Sequence, residues 1–306
     1  FALAHLESDP RAAVEARFVT YYANEVAAQT TTLQGSATQS TLHTFTRELD
    51  NIHQAWQWAA LHKQDDRLLQ LLEGLSSYYV ASGRNVEGRV HFEALYTARF
   101  ATLPLDGSQP SQQLCLRLLD EISRCLIWEG KLSTAQCWSE QALAAAQNLA
   151  NREYEARALD NLSNALHQQG KSQLARQKSE AALAIARTLD QPALVARILH
   201  ILGSILAETG ERGKADGCLQ EALRIQRQLG NRIVEQRVLL YLCRMRVEDN
   251  DYQGAQGYLA AVIELLQLVG IRPGEARIIN LRGFVEAMLG NYATALEYHA
   301  SSRQIS

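Results

Sequence analysis

The sequence predicts an all-α solenoid of antiparallel helix pairs with a 40-residue period, and three observations predict it. The first is a strict repeat: Ala135, Ala175, Ala215, Ala255 and Ala295 stand 40 apart, as do Leu149, Leu189, Leu229 and Val269, and again Arg117, Arg157, Arg197, Arg237 and Arg277. One residue type at equal intervals means one structural unit copied along a line. The second is a turn residue inside each copy, Gly130, Gly170, Gly210 and Gly290, with Asn250 in the fourth. Glycine and asparagine are the residues that tolerate positive φ where a helix closes. The third is composition: 306 residues, 47% hydrophobic, with five prolines and no period-two alternation of the kind a half-buried strand needs.

In chain order, residues 1–7 (FALAHLE) begin without a methionine, which points to a piece of something longer. Ser8, Asp9 and Pro10 read as a helix start, with proline where its missing N–H does no harm. Ala12, Ala16, Val19 and Ala23 carry an apolar face to about Gln29, and Thr30 to Ser40 reads as a polar loop. In Glu48 to Ala59, the side chains of Leu49, Ile52, Trp56 and Ala59 share one helical face. Arg67 to Ser82 and Asn85 to Phe100 make a helix pair around Gly83, with Leu72, Leu75 and Tyr78 apolar on its first helix. Leu103 to Pro110 (LPLDGSQP) is a turn-rich insertion and the candidate boundary. The expected organisation is therefore an N-terminal helical segment (1–64), an irregular first pair with its insertion (65–110), and regular repeats (111–306) cut short at the C-terminus.

The block that begins at Arg152 shows the unit. Leu159, Leu162 and Leu166 form one stripe at about 100° per residue, Gly170 closes that helix, and Leu174, Ala175, Ala182, Leu183 and Ala186 stripe a second. Small residues at Ser123, Ser163, Gly203, Cys243 and Gly283 let neighbouring backbones come close. A pair with Gly eight positions in and Ala five and twelve further on resembles the tetratricopeptide (TPR) repeat. The departures are a period of 40 against about 34, no terminal proline, and Arg246 and Glu286 where an apolar residue four before the turn is usual. The resemblance implies a right-handed solenoid whose first helices line a concave channel.

Phe18 to Ala27 (FVTYYANEVA) and Glu48 to Ala59 (ELDNIHQAWQWA) carry a second resemblance, to the opening of the helical sensor region in bacterial STAND-class (NB-ARC-like) ATPase regulators. There an E-x-D-N-hydrophobic helix and a following W-A pair introduce a TPR array, and Asp50, Asn51, Trp58 and Ala59 match. The resemblance implies a non-catalytic, cytoplasmic sensor that takes a protein, a peptide or a small anionic effector, with ATP hydrolysis in a nucleotide-binding domain ahead of Phe1.

Other chemistries find little footing. A net charge of −3 gives no general attraction to nucleic acid or anionic lipid, and no run of about 18 apolar residues offers a membrane span. Five cysteines, an odd number without a CxxC spacing, suit reduced thiols in a cytosolic core. GKLS at Gly130 and GKSQ at Gly170 lack the P-loop's earlier glycine, having Cys125 and Ala165 there on a helix. The eight histidines show no HxxxH or HExxH pairing, so no metal ligands stand out; His53 and His167 read as surface or interhelix residues. No nucleophile, base and orienting acid can be nominated, so no enzyme activity and no cofactor are expected.

Opposite the apolar stripe, the repeats present Arg117, Glu121, Arg124 and Trp128; then Arg157, Asn161, Asn164 and Gln168; then Arg197, Ile201, Ser204 and Glu208; then Arg237, Tyr241, Arg244 and Glu248. Guanidinium groups bind carboxylate or phosphate bidentately and aromatics give contact area at low entropic cost, so this lining suits an extended peptide or an anionic ligand. An arginine copied at every step is equally explained by bridges to Asp160, Glu121 or Glu235. The non-repeating Arg124, Trp128, Asn164, Tyr241 and Arg244 are the better functional candidates, because a structural role tends to repeat. In the last copy Leu281, Phe284 and Met288 occupy the same positions, so an apolar end is expected there, where further repeats, a partner domain or a second copy would pack.

Overall fold

In the computed structural model, residues 10–33, 38–101, 108–269 and 275–305 are described, and among them the chain forms fourteen α-helices and no strand. These are α1 (Pro10–Leu33), α2 (Thr38–Leu61), α3 (Asp65–Ser82), α4 (Asn85–Arg99), α5 (Gln109–Trp128), α6 (Leu132–Asn148) and α7 (Arg152–Gln168), followed by α8 (Ser172–Ala186), α9 (Pro192–Glu208), α10 (Arg212–Leu229), α11 (Arg232–Glu248), α12 (Tyr252–Val269), α13 (Glu275–Met288) and α14 (Tyr292–Ile305). The fold is an all-α solenoid of TPR-like helix pairs. Two compact units divide it between Tyr154 and Glu155: the first holds α1, α2 from Ser40, and α3 to α6, and the second holds α7 beyond Tyr154 and α8 to α14. The expected boundary at Leu103 to Pro110 falls largely on residues outside those described, as do residues 1–7, Ser8 and Asp9.

The predicted turns form as left-handed closures. Gly83, Gly130, Gly170, Gly210 and Gly290 have φ between 72° and 86°, and Asn250 has φ 59°. Each is followed by a backbone bond that ends the helix: Lys131 N–H donates to Leu126 O at 3.0 Å, Lys171 to Leu166 at 2.9 Å, Glu211 to Leu206 at 2.9 Å and Asp251 to Arg246 at 2.8 Å. The polar residues that depart from the TPR pattern before two of these turns are tied across helices. Arg246 donates to Asp216 at 2.6 Å, while buried Glu286 accepts from Gln256 at 3.0 Å and Asn291 at 2.9 Å. Interhelix hydrogen bonds there take the place of an apolar contact.

The repeated alanines and small residues form the seams. Ala135, Ala175 and Ala215 are fully buried, and Ser163 Oγ donates to the Ala175 carbonyl at 2.8 Å. A Cβ on Gly203 would lie 2.8 Å from Leu219 Cγ and 3.3 Å from the Ala215 carbonyl, so α9 and α10 touch there nearly backbone to side chain. Close approach of the same kind joins α1 to α3, where a Cβ on Gly74 would collide with Val26 Cγ1.

Two expectations are corrected. The loop from Thr30 to Ser40 is shorter: α1 runs on to Leu33, which is fully buried, and α2 begins at Thr38. Thr30 tolerates the helix because its hydroxyl donates to the Val26 carbonyl at 2.9 Å. On α8, Leu174 is exposed rather than part of the buried stripe, leaving Ala175, Ala182, Leu183 and Ala186 to form it. The repeated leucines at 149, 189 and 229 lie at the ends of the second helices, the first two half-buried and Leu229 exposed. First helices bury more than one stripe. Every residue of α9 from Ile198 to Ala207 is buried, because α8 and α10 pack against it from two sides.

Candidate functional site

The arginine ladder is bound into the scaffold where its partners are seen. Arg117 reaches Glu121 at 3.2 Å, and Arg197 reaches Asp160 at 2.8 Å while also donating to the Arg157 carbonyl at 3.5 Å. Burial works against the Arg117 charge, but Glu121, with smaller help from Tyr154 and Asp120, more than offsets it, and the guanidinium pKa rises. Glu235 accepts from Arg227 at 2.9 Å and Arg232 at 2.8 Å, neither of which belongs to the ladder. Arg117, Arg157, Arg197 and Arg237 are all half-buried, whereas Arg277 is exposed.

This changes the reading of the lining. Glu121, Asn161 and Ser204 were expected on an open face, and all three are buried; so is Ile201. Glu121 accepts from Ser76 Oγ at 2.6 Å and Arg124 Nη1 at 3.1 Å, which makes it the hub of an interhelix network rather than a contact for a ligand. Ser204 donates to the His200 carbonyl at 2.9 Å. The physical reason is that a first helix flanked on two sides has little circumference left for solvent.

What faces outward in the second unit is a smaller group on α7, α9 and α11. Arg244 is exposed and its guanidinium lies 5.6 Å from the centre of the half-buried Tyr241 ring. The Tyr241 hydroxyl donates to Glu208 at 3.4 Å, and His167 Nε2 is 3.5 Å from the same carboxylate. Below them His200 packs edge-on to Tyr241, with ring centres 5.8 Å apart. Burial, with Arg237 and His167 adding, pushes its pKa down to about 3, so it remains a neutral imidazole at ordinary pH. Asn164 accepts from Gln168 at 3.0 Å on the adjoining turn of α7. The result is an aromatic ring with a cation above it and an exposed carboxylate beside it, a set that can stack on and pair with an extended chain. In the first unit Trp128, at the end of α5, is 51% exposed, enough to serve as an anchor, and Arg124 is half-buried against Glu121.

The N-terminal motif proves to be a clasp between α1 and α2. Glu48 accepts from Tyr22 at 3.0 Å and Asn51 at 2.9 Å, and Trp58 Nε1 donates to Glu15 at 2.8 Å. The Asn51 and Tyr22 bonds hold the Glu48 carboxyl below its usual range. Leu49, Ile52, Trp56 and Ala59 are buried as expected. The two stretches that carry the resemblance thus meet each other.

At the other end Phe284 and Met288 are exposed as expected and Leu281 is half-buried. Tyr292 and Leu296 on α14, each 69% exposed, are further exposed apolar residues at this end that the sequence did not single out. Cys115, Cys125 and Cys243 are buried, and burial pushes their thiols up to about 12. Cys137 is exposed and Cys218 half-buried, so not every thiol belongs to the core. Gly130 and Gly170 are interhelix turns, with helices where a P-loop has a strand. No described helix is long and apolar enough to cross a membrane.

No protein-family model matches the sequence, and no curated protein matches it. Solved structures do match in fold. The apo form of RapI aligns with a TM-score of 0.61 at 11% identity, over 94% of this chain and 97% of that one. A signal transduction ATPase with numerous domains (STAND) from Pyrococcus horikoshii, with a tetratricopeptide repeat sensor, aligns with a TM-score of 0.54 at 11% identity over 88% of this chain. The match spans 40% of that protein's length. PlcR of Bacillus thuringiensis, solved with the peptide PapR7 and DNA, aligns with a TM-score of 0.52 at 14% identity, over 72% of this chain and 73% of that one.

Proposed function

We propose that this chain is a non-catalytic, partner-binding sensor array of a STAND-type signalling ATPase, which takes a protein, a peptide or a small effector in the groove lined by its first helices and thereby governs a nucleotide-binding domain. The observation that carries the binding reading is the group at Tyr241, Arg244 and Glu208: mixed in charge, open to solvent at Arg244 and Glu208, and built around an aromatic that no other repeat has at that position. The STAND assignment is supported by the Tyr22, Glu48, Asn51 and Trp58 clasp beside the Pyrococcus horikoshii likeness, and the peptide reading by the likeness to PlcR, which was solved with one. Peptides selected from a random library against the chain test it. Tyr241→Ala and Arg244→Glu should each weaken the selected peptides at least tenfold, the scale of a truncated hot spot. Peptides that bind both variants as tightly as the parent would remove this face from the account.

A second reading, a scaffold that assembles with itself, is favoured by one observation: Phe284, Met288, Tyr292 and Leu296 are all exposed on α13 and α14. Light scattering over a concentration series decides it. Self-association that Phe284→Asp abolishes supports the scaffold, and a monomer throughout rejects it.

A further inference from the structure

Local sequence motifs leave the histidines unpaired, yet folding brings three chemically matched side chains together in the first unit. His53 comes from α2, and Glu87 and His91 from successive turns of α4. Their nearest ligand atoms all lie within 4.8 Å of one another. We propose that His53, Glu87 and His91 form a binding site for a divalent transition-metal ion of the zinc type, with two imidazole nitrogens and one carboxylate oxygen as protein ligands and water completing the shell.

The donor set fits that class. Two imidazoles and a carboxylate are a common three-ligand zinc arrangement, and nickel and cobalt accept the same donors; calcium and magnesium prefer oxygen alone. A metal needs neutral imidazoles. Both rings are half-buried, so each keeps an edge within reach of an ion from solvent. The rings already lie against each other, centres 4.3 Å apart and tilted by 38°. An ion placed among ligands at the observed spread would need each to move inward by roughly 0.7 Å to reach ordinary zinc distances of about 2.0–2.2 Å, which is within reach of side-chain rotation.

The surroundings already hold these ligands in place. The Tyr79 hydroxyl bonds His53 Nε2 at 2.8 Å, the kind of outer contact that fixes a ligand imidazole and its tautomer. Arg84 grips one oxygen of Glu87, with Nε at 2.8 Å and Nη2 at 2.6 Å, and orients that carboxylate. Its Nη1 is itself tied to the Tyr78 hydroxyl at 2.9 Å. Gly88 explains the close approach: a Cβ there would lie 2.6 Å from the Tyr79 ring, so α4 is seated tightly on α3 at the turn that carries Glu87 and His91. Bound metal would clamp α2 to α4 and stabilise the first helix pair, independently of the binding face on the second unit.

Titration of the chain with zinc chloride against a chromophoric chelator, with cobalt(II) absorption as the reporter of ligand geometry, tests the site. One equivalent should bind, the cobalt complex should show the visible bands of a low-coordinate site, and zinc should raise the melting temperature. His53→Ala and His91→Ala should each lose at least tenfold in affinity, while His43→Ala and His62→Ala, both exposed on or next to α2, should lose nothing. Should His53→Ala lose its helical circular dichroism, His91→Gln and Glu87→Gln carry the test on folded protein. No retained zinc and no cobalt spectrum, or an affinity unchanged by substitution of His91 and Glu87, overturns the assignment.

Discussion

Replacing Glu121 with alanine should destabilise the chain by about 3–5 kcal/mol, the scale of breaking a buried charge network from one side. The carboxylate is 1% exposed and holds three partners, Arg117 at 3.2 Å, Arg124 and the Ser76 hydroxyl at 2.6 Å. Alanine removes the acceptor and leaves Arg117, only 20% exposed, with its largest compensating charge gone. Glu121→Gln keeps the shape and an acceptor but not the charge, and should fall between the two. The double variant Glu121→Leu with Arg117→Met should recover part of the loss, because it removes the Arg117 charge together with the carboxylate and leaves only Arg124, which is closer to solvent, to be rehydrated. Urea denaturation of the four proteins gives the comparison. A single-alanine loss below about 1 kcal/mol, the ordinary size of an exposed pair, would mean that solvent reaches the site and that Glu121 belongs to an open face after all.

Gly203→Leu is the second large effect, expected at about 3 kcal/mol, the upper part of the range for overpacking a dense core. The position contacts fully buried Leu219, and the repeat equivalents explain why glycine is needed here. Along the first helices the position reads Ser123, Ser163, Gly203, Cys243 and Gly283; along the second helices the facing position reads Ser139, Ser179, Leu219, Leu259 and His299. Serine stands opposite serine, and glycine stands opposite leucine or histidine. A Cβ on Gly283 would come within 2.8 Å of the His299 ring, the same relation as at Gly203. Size is therefore traded across the seam in four of the five pairs, the exception being Cys243 opposite Leu259. Gly203→Ser combined with Leu219→Ser recreates the pair found one repeat earlier, and should be tolerated better than Gly203→Leu by about 2 kcal/mol in thermal unfolding. Equal losses for the two proteins would show that the seam does not work by volume exchange.

These two sites mark where the sequence could be read and where it could not. The period, the turn residues and the buried alanines were legible because each is a local constraint repeated at a fixed spacing, as Gly170 and Ala175 show. The clasp of Glu48, Asn51 and Trp58 was legible as a motif, while its partners Tyr22 and Glu15 became evident only with α1 folded against α2. The burial of Glu121, Asn161 and Ser204 was not legible, since a helical wheel places one stripe inside and these helices have neighbours on two sides. Polarity is a poor guide there, because a buried hydroxyl bonded to a carbonyl, as Ser204 is to His200, has its hydrogen bond already made. The same limit hid the meeting of His53 with Glu87 and His91, which no spacing along one helix encodes.

On the proposed reading the first helices divide their labour: repeated arginines hold the scaffold, and non-repeating residues on the same helices would recognise the partner. Arg197→Ala and Tyr241→Ala, each measured both for melting temperature and for affinity toward a library-selected peptide, test it directly. Arg197→Ala, which removes the ion pair to Asp160, should lower the melting temperature by several degrees and leave peptide affinity within twofold, whereas Tyr241→Ala should do the reverse. A tenfold loss of affinity on removing Arg197, with Tyr241 dispensable for binding, would contradict the account.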